Sequence, residues 1–276
     1  MNTFQWNKPK KWLETVTKII IKLWGNDFIE GLKRNNVTPN LFNDDWLNTI
    51  LPPNEIVPHS ISPLEYFAMA VKSNWSHIKV FHACRVKDIA DYYSKGIVFS
   101  SIEDLDRLVL QTLQPYVNEQ ILTQIVLLMH NHYNENDERV FASLDKHHLQ
   151  LFCSHHLEYG SEYLLCSIML LKNFGLSIQP ILASFKGSSE TIPTIFECDI
   201  PIKSFYHKNL LEISRILLTE GCKMILWEEY YPPSRRTGFG IKTNIEPAWI
   251  KNHFHPNLNI EQKLIPPVWL DTSLCV

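Results

Sequence analysis

The chain has 276 residues, of which 45% are hydrophobic and 20% are charged. This composition is typical of a globular protein and excludes wholesale disorder. The formal net charge of −3 excludes a general attraction to nucleic acid, although it is compatible with a local basic groove. The first residues lack the apolar core of a signal peptide, and every apolar run is far shorter than the roughly 20 residues that span a bilayer. We therefore expect a cytoplasmic protein with no membrane partner.

The cysteines support the same location. The six cysteines are scattered along the chain and contain no C-x-x-C pair. This spacing argues against a zinc ribbon, a dithiol redox motif and a dense disulfide framework. We expect reduced thiols.

The first predicted element is a basic amphipathic helix. Apolar residues recur at helical spacing between Lys10 and Trp24, with lysines among them. This helix either packs on the rest of the protein with a solvated lysine face, or forms an arm that contacts a nucleic acid, a membrane or a partner.

A second helix is predicted where Ser62, Pro63 and Glu65 form the pattern of a capping box with proline in the first turn. The segment before it is rich in asparagine and proline, which is typical of loops joining short helices. We take residues 1–75 as a helical N-terminal extension and residues 76–276 as the functional domain.

The remaining elements follow one another irregularly. The sequence predicts strands at 78–83, 139–144, 194–200, 223–231 and 239–245, and helices at 86–94, 101–113, 119–129, 161–173 and 210–218. Gly96 and Gly221 are expected to end the helices that precede them. Because no regular βαβ alternation is present, we predict an α+β fold with small mixed, largely antiparallel sheets flanked by helices.

Missing motifs exclude several common catalytic sites. The chain has no G-x-x-x-x-G-K-[ST] loop, no G-x-G-x-x-G, no H-E-x-x-H and no G-x-S-x-G. Histidines are concentrated near the doublets His147-His148 and His155-His156. Neighbouring side chains on a strand point to opposite faces, so each doublet would offer one ligand at most. We therefore expect no metal.

The segment around His82 carries the strongest functional signal. His82 lies near the end of a predicted buried strand, and a short helix then leads to Gly96 and Ile97. From the residue alone, a core histidine bonded to a backbone carbonyl is a simple alternative. However, the run FHACRVKDIADYYSKGI from Phe81 to Ile97 resembles the first motif of the ADP-ribosyltransferase superfamily. The resemblance implies that His82 binds the adenosine ribose of NAD and that Arg85 neutralises the pyrophosphate.

A second piece follows in the expected order. The residues 140–142 are similar to a strand of the poly(ADP-ribose) polymerase branch, and Tyr159, Ser161 and Tyr163 resemble its downstream serine and tyrosine region. The resemblance implies that Ser161 binds the nicotinamide amide, and that an aromatic ring, Tyr93, Tyr159 or Tyr163, stacks on the nicotinamide. Alternatively, Tyr163 is a core residue of the following helix.

The third piece is a catalytic glutamate. The Glu229-Tyr230 pair resembles the Glu-Tyr of the polymerase branch, but the gap to the following I-x-P-x-x-I-like segment is longer than usual. Glu162 is the rival, because it lies where NADases of the same superfamily carry a glutamate near a helix start. A solvated strand face is the alternative explanation for Glu229.

The resemblance implies a reaction as well as a fold. NAD would serve as co-substrate, and ADP-ribose would pass to a protein or nucleic-acid acceptor, or to water in an NAD glycohydrolase. A toxin or anti-phage role, with an inhibitory protein partner, would suit such an enzyme. Two other classes remain open: a non-enzymatic protein- or nucleic-acid-binding module, and a nucleic-acid-processing enzyme whose histidines act as acid and base.

Overall fold

The computed structural model describes residues 2–41, 45–48, 61–132, 140–187, 190–227, 230 and 237–258. Its strands are β1 (Thr3–Phe4), β2 (His77–Val86), β3 (Val140–Ser143), β4 (Ile192–Pro201), β5 (Gly238–Ile241) and β6 (Ile250–Phe254). Its helices are α1 (Pro9–Trp24), α2 (Phe28–Arg34), α3 (Asp45–Asn48), α4 (Pro63–Asn74), α5 (Ile89–Lys95), α6 (Ile102–Leu113), α7 (Glu119–His132), α8 (Lys146–Leu151), α9 (His155–Tyr159), α10 (Glu162–Leu170), α11 (Gln179–Gly187) and α12 (His207–Leu226). Among these described helices, none combines the length and apolarity that a bilayer crossing requires.

The strands form a sheet in the order β5-β3-β2-β4-β6, and β1 pairs with β2. The β1–β2 pair is parallel, whereas β2–β3 and β4–β6 are antiparallel. In these registers Phe81 lies opposite Ser143, and Phe196 lies opposite His253. The predicted α+β fold with a mostly antiparallel sheet is thereby confirmed. Its closer likeness to the ADP-ribosyltransferase fold stays a prediction.

The predicted strand at 223–231 is wrong over its first four residues. Helix α12 continues to Leu226, so it also passes through Gly221, where we predicted the helix to end. A Cβ atom at Gly221 would lie 2.6 Å from Cγ1 of Val16 on α1. Glycine is therefore used here for close helix packing and not as a cap. The residues Glu228, Glu229 and 231–236 lie outside the described part of the chain.

The chain divides into two compact units. The first comprises 1–80 and 199–239, so it contains the predicted N-terminal extension together with a segment from the C-terminal half. Within it, α1 packs on α4 and α12, and α1 buries Trp12, Val16 and Ile20. This packing agrees with the simpler interpretation of the basic helix. The capping box before α4 is confirmed, since Ser62 and Glu65 exchange both hydrogen bonds.

The second unit comprises 81–198 and 240–276 and contains almost every residue predicted for the site. Helices α6, α7, α10 and α11 surround its larger apolar cluster, which includes Val109, Leu113, Ile125, Tyr159, Tyr163, Leu165 and Ile181. A smaller cluster joins β2 and β4 to α8 and α9 through Phe81, Ala83, Leu149, Leu157 and Ile195. These clusters fix the helices that carry the polar residues described next.

Candidate functional site

His82 is held by a hydrogen bond to the backbone of the neighbouring strand. Its Nδ1 lies 2.8 Å from the carbonyl oxygen of Phe141 in β3. A carbonyl only accepts hydrogen bonds, so Nδ1 carries the proton and Nε2 has the lone pair. Burial lowers the pKa of His82 more than the bond to Phe141 raises it. His82 is therefore a rigid, neutral imidazole whose Nε2 is an acceptor.

Phe141 connects His82 to a second histidine. While its carbonyl accepts from His82, its ring stacks on the His156 imidazole, with centroids 5.0 Å apart and planes inclined by 19°. His82 also lowers the pKa of His156 electrostatically. The strand pair β2–β3 thereby places His82 next to the histidines of α9.

The histidine doublets lie in helices and not in strands. His147-His148 belong to α8, and His155-His156 belong to α9. Consecutive residues of a helix are about 100° apart, so two neighbouring rings can approach one point. The rings of His155 and His156 are 4.3 Å apart between centroids. The premise that a doublet offers only one ligand is therefore wrong for His155-His156.

Burial keeps the imidazoles of α9 neutral. It lowers the pKa of His155 to about 4, with a further effect from His148. It lowers the pKa of His156 well below the ordinary value, with further effects from His155, His82 and His148. A group of adjacent imidazoles resists protonation, because each added charge would repel the next.

His148 and Cys153 form a pair at the edge of this group. The Cys153 Sγ lies 3.2 Å from Nε2 of His148, and both side chains are buried. Burial raises the pKa of the Cys153 thiol to about 12. The sulfur therefore carries its proton near neutral pH.

Glu162 completes the arrangement from the start of α10. Ser161 caps that helix by accepting a hydrogen bond from the Leu164 amide at 3.3 Å. One ligand atom from each of His155, His156 and Glu162 lies within 4.8 Å of the others. We call His82, His148, His155, His156 and Glu162 the His/Glu cluster.

Arg85 uses its guanidinium on protein groups. Its Nε donates to Thr191 Oγ1 at 2.8 Å, and one terminal nitrogen donates to the Thr191 carbonyl at 2.7 Å. The other terminal nitrogen donates to the carbonyls of Leu157 and Glu158, each at 3.2 Å. Arg85 thereby ties β2 to α9, while its predicted contact with a pyrophosphate stays a prediction.

Tyr93 lies outside the apolar cluster that contains the other two predicted aromatic residues. Tyr93 is 39% exposed on α5, and its hydroxyl lies 2.9 Å from Nδ1 of His253. Tyr159 is buried in the larger apolar cluster. Tyr163 belongs to the same cluster and donates to Asp106 at 2.7 Å, as expected of the core residue that we gave as its alternative.

The structure therefore brings together some of the predicted residues and adds others. His82 and Glu162 both border the His155-His156 pair, whereas Glu229 lies outside the described residues. Sequence reasoning missed His155 and His156, although the doublet itself was visible. The signal that could have found them is the flanking pair Ser154 and Gly160, typical of the ends of a short helix.

Comparison with known proteins adds no relationship: neither protein-family models, nor curated proteins, nor solved structures gave a match to this chain.

Proposed function

We propose that the second unit is an NAD-dependent ADP-ribosyltransferase that cleaves the nicotinamide–ribose bond at the His/Glu cluster. One observation carries this proposal. His82 and Glu162 come from two separate predicted motifs: His82 is bonded to Phe141, whose ring stacks on His156, and Glu162 has a carboxylate oxygen within 4.8 Å of a His156 nitrogen. In this proposal Glu162 takes precedence over Glu229 as the catalytic carboxylate.

Glu162 has the chemistry that the reaction needs. Departure of nicotinamide leaves positive charge on the ribose anomeric carbon, and a carboxylate held nearby lowers the energy of that transition state. The residue is the first of α10, where the helix dipole favours a negative side chain. Because Ser161 caps the same helix, the carboxylate is carried on a fixed backbone.

His82 suits the recognition of a ribose hydroxyl. Its Nδ1 proton is committed to the Phe141 carbonyl, so the ring presents Nε2 as a hydrogen-bond acceptor in one fixed orientation. Arg85 and Ser161 contribute by positioning α9 and α10. Tyr93, which is the most exposed of the predicted aromatic residues, is the proposed partner for the nicotinamide ring.

The proposed acceptor is a macromolecule, either protein or nucleic acid, with water as the acceptor in the glycohydrolase alternative. The proposed setting is the cytoplasm, as for a toxin or an anti-phage effector held in check by a protein partner. The cysteines support this setting, since Cys84, Cys153, Cys166, Cys198 and Cys222 are all buried thiols.

The experiment measures nicotinamide released from NAD by the purified full chain, alone and with total protein or RNA as acceptor. We expect Glu162→Gln to lower the rate by about 100-fold or more, because a charge-stabilising group of this kind is worth that much. Glu229→Gln is expected to keep most of the wild-type rate. NAD labelled in its adenosine half distinguishes transfer from hydrolysis.

Glu119→Gln is the matched control. Glu119 is the exposed first residue of α7, as Glu162 is the first residue of α10, so the substitution changes the same chemical group in a similar position. Wild-type rates in both Glu119→Gln and Glu162→Gln would overturn the role of Glu162. No nicotinamide release by the wild type, with every acceptor tested, would overturn the proposed activity.

A further inference from the structure

The His155–His156–Glu162 group has the composition of a metal site. It offers two imidazole nitrogens and one carboxylate oxygen, all within 4.8 Å of one another. Two histidines and a glutamate are a known ligand set of zinc enzymes, in which a fourth position is left open. Imidazole ligands favour ions such as Zn²⁺ over Mg²⁺ and Ca²⁺, which prefer oxygen ligands.

Two short helices hold the three ligands close together. His155 and His156 open α9, and Glu162 opens α10 after the linker Gly160-Ser161. Gly160 has a φ of 81°, which allows the sharp turn between the helices. The ring of His156 is further fixed by stacking on Phe141. The backbone therefore brings ligands from two helices to one place.

A second, independent observation points to a ligand at this place. His155 is 9% exposed, and its buried Nε2 has no hydrogen-bond partner within the described part of the chain. An imidazole nitrogen buried without a hydrogen-bond partner is unfavourable, so such groups need an explanation. A bound cation would satisfy this nitrogen.

The charges of the group also suit a cation. The Glu162 carboxylate can contribute a negative charge to a bound ion, and each imidazole can contribute the lone pair of one nitrogen. Zn²⁺ bonds of about 2.0–2.1 Å in a tetrahedron place ligand atoms about 3.4 Å apart, so small side-chain rotations are needed to close the group.

We propose that His155, His156 and Glu162 bind one divalent transition-metal ion, with Zn²⁺ as the representative, and leave one coordination position open to water or another ligand. This metal site is independent of the proposed function, because it is inferred from the geometry of these three residues. The expectation of no metal, drawn from the doublets, depended on a strand where the chain forms a helix.

The test uses the full chain, stripped of metal with a chelator and then freed of the chelator. Zn²⁺ is titrated in competition with a chromophoric zinc indicator. We expect one ion per chain, and we expect His156→Gln and Glu162→Gln each to weaken binding by about 100-fold or more, since even outer-shell changes cost 10–100-fold. His147→Gln is the control, because His147 is exposed on the neighbouring helix α8 and should leave the affinity unchanged.

Two further measurements test the folding of the variants and the identity of the metal ligands. Far-ultraviolet circular dichroism of the metal-free variants checks that they are folded. The X-ray absorption edge of the zinc-loaded wild type is expected to show nitrogen and oxygen ligands that include imidazole. No stoichiometric binding by the wild type, equal affinities in the wild type and both cluster variants, or sulfur ligation would each overturn the site.

The metal site and the proposed function can fail separately. Zinc binding is measured without NAD, and nicotinamide release is measured on the metal-free protein. Retained zinc binding without nicotinamide release would overturn only the proposed function. Nicotinamide release without zinc binding would overturn only the metal site. If the metal site and the proposed function are both confirmed, Zn²⁺ is expected to inhibit nicotinamide release, because it would bind the Glu162 carboxylate.

Discussion

Arg85 is a single side chain that holds several elements of the site together through its hydrogen bonds. It donates to the Thr191 hydroxyl and to the carbonyls of Leu157, Glu158 and Thr191. We expect Arg85→Met to lower the free energy of unfolding by about 2–4 kcal/mol, because several partly buried carbonyls would lose their donor. Urea denaturation followed by circular dichroism measures this loss.

Arg107→Met is the control for that change. Arg107 is exposed on α6 and pairs only on the surface with Asp104, so its loss should stay within about 0.5 kcal/mol. Wild-type stability of Arg85→Met, combined with weaker NAD binding, would contradict the structural role. It would favour the pyrophosphate contact that the sequence resemblance implies.

The buried thiol of Cys84 is expected to make the free energy of unfolding depend on pH in the alkaline range. Burial raises the pKa of its thiol to about 12, whereas an unfolded cysteine titrates near its ordinary value of 9.0. Above pH 9 the unfolded chain therefore loses a proton that the folded chain keeps, which favours unfolding. The stability is fully present below about pH 9 and falls as the pH rises towards 12.

Substitution of that residue tests the assignment. Each such thiol contributes a slope of about 1.4 kcal/mol per pH unit in this range. Unfolding free energies of Cys84→Ala between pH 8 and 11 should fall less steeply than those of the wild type by about this amount. Parallel curves for the two proteins would show that Cys84 does not titrate differently on folding.

Some hydrogen bonds of the site could be predicted from the sequence, and others could not. The sequence indicated a carbonyl-bonded histidine as one interpretation of His82, and the structure has that bond. It could not give the partner, because Phe141 is 59 residues away in the sequence and approaches only through strand pairing. The contacts of Arg85 with Thr191 were hidden for the same reason, since the two residues are 106 positions apart.

Among the elements, the end of α5 depends on Gly96. This residue has a φ of 83°, and a Cβ atom there would lie 2.3 Å from the carbonyl oxygen of Ile245. That carbonyl accepts from the Ile97 amide at 2.8 Å. We expect Gly96→Ala to destabilise the protein by about 3 kcal/mol or more, since it combines backbone strain with a clash that backbone atoms must relieve.

Gly25 is a close match in backbone conformation. Its φ is 82° and its ψ is 173°, near the values of 83° and −169° at Gly96, but a Cβ atom there meets nothing within 4 Å. Gly25→Ala should therefore show the strain alone, about 1–3 kcal/mol. Thermal unfolding of both variants compares them. Equal losses of stability in the two variants would mean that the close approach of Ile245 to Gly96 adds nothing to the cost of Gly96→Ala.

The length and periodicity of each element explain which elements were predicted correctly. Long periodic segments such as α1, α6 and α7 were found, because their apolar pattern repeats over several turns. The doublet helices α8 and α9 have six and five residues, which is too short for a helical period to appear. Gly221 was misread for a different reason, because the approach of Val16 is a tertiary contact with no local signature.

For the whole molecule, the sequence indicated the fold class and part of the site. The order of strands and helices excluded a regular βαβ architecture, and the α+β sheet followed. The division into units could not be predicted, because one unit joins residues 1–80 to 199–239. The proposed role of Glu162 likewise depends on its three-dimensional proximity to His156, which has no local signature in the sequence.

The proposed binding of NAD beside His82 and Glu162 can be followed directly through the histidine rings. The imidazole resonances are assigned with single His→Gln variants and followed during titration with an NAD analogue whose nicotinamide–ribose bond cannot be cleaved. We predict that the signals of His82 and His156 shift in a saturable way, while the exposed His147 stays unchanged. Saturation of the protein with the analogue, without any shift of the His82 and His156 signals, would contradict NAD binding at the His/Glu cluster.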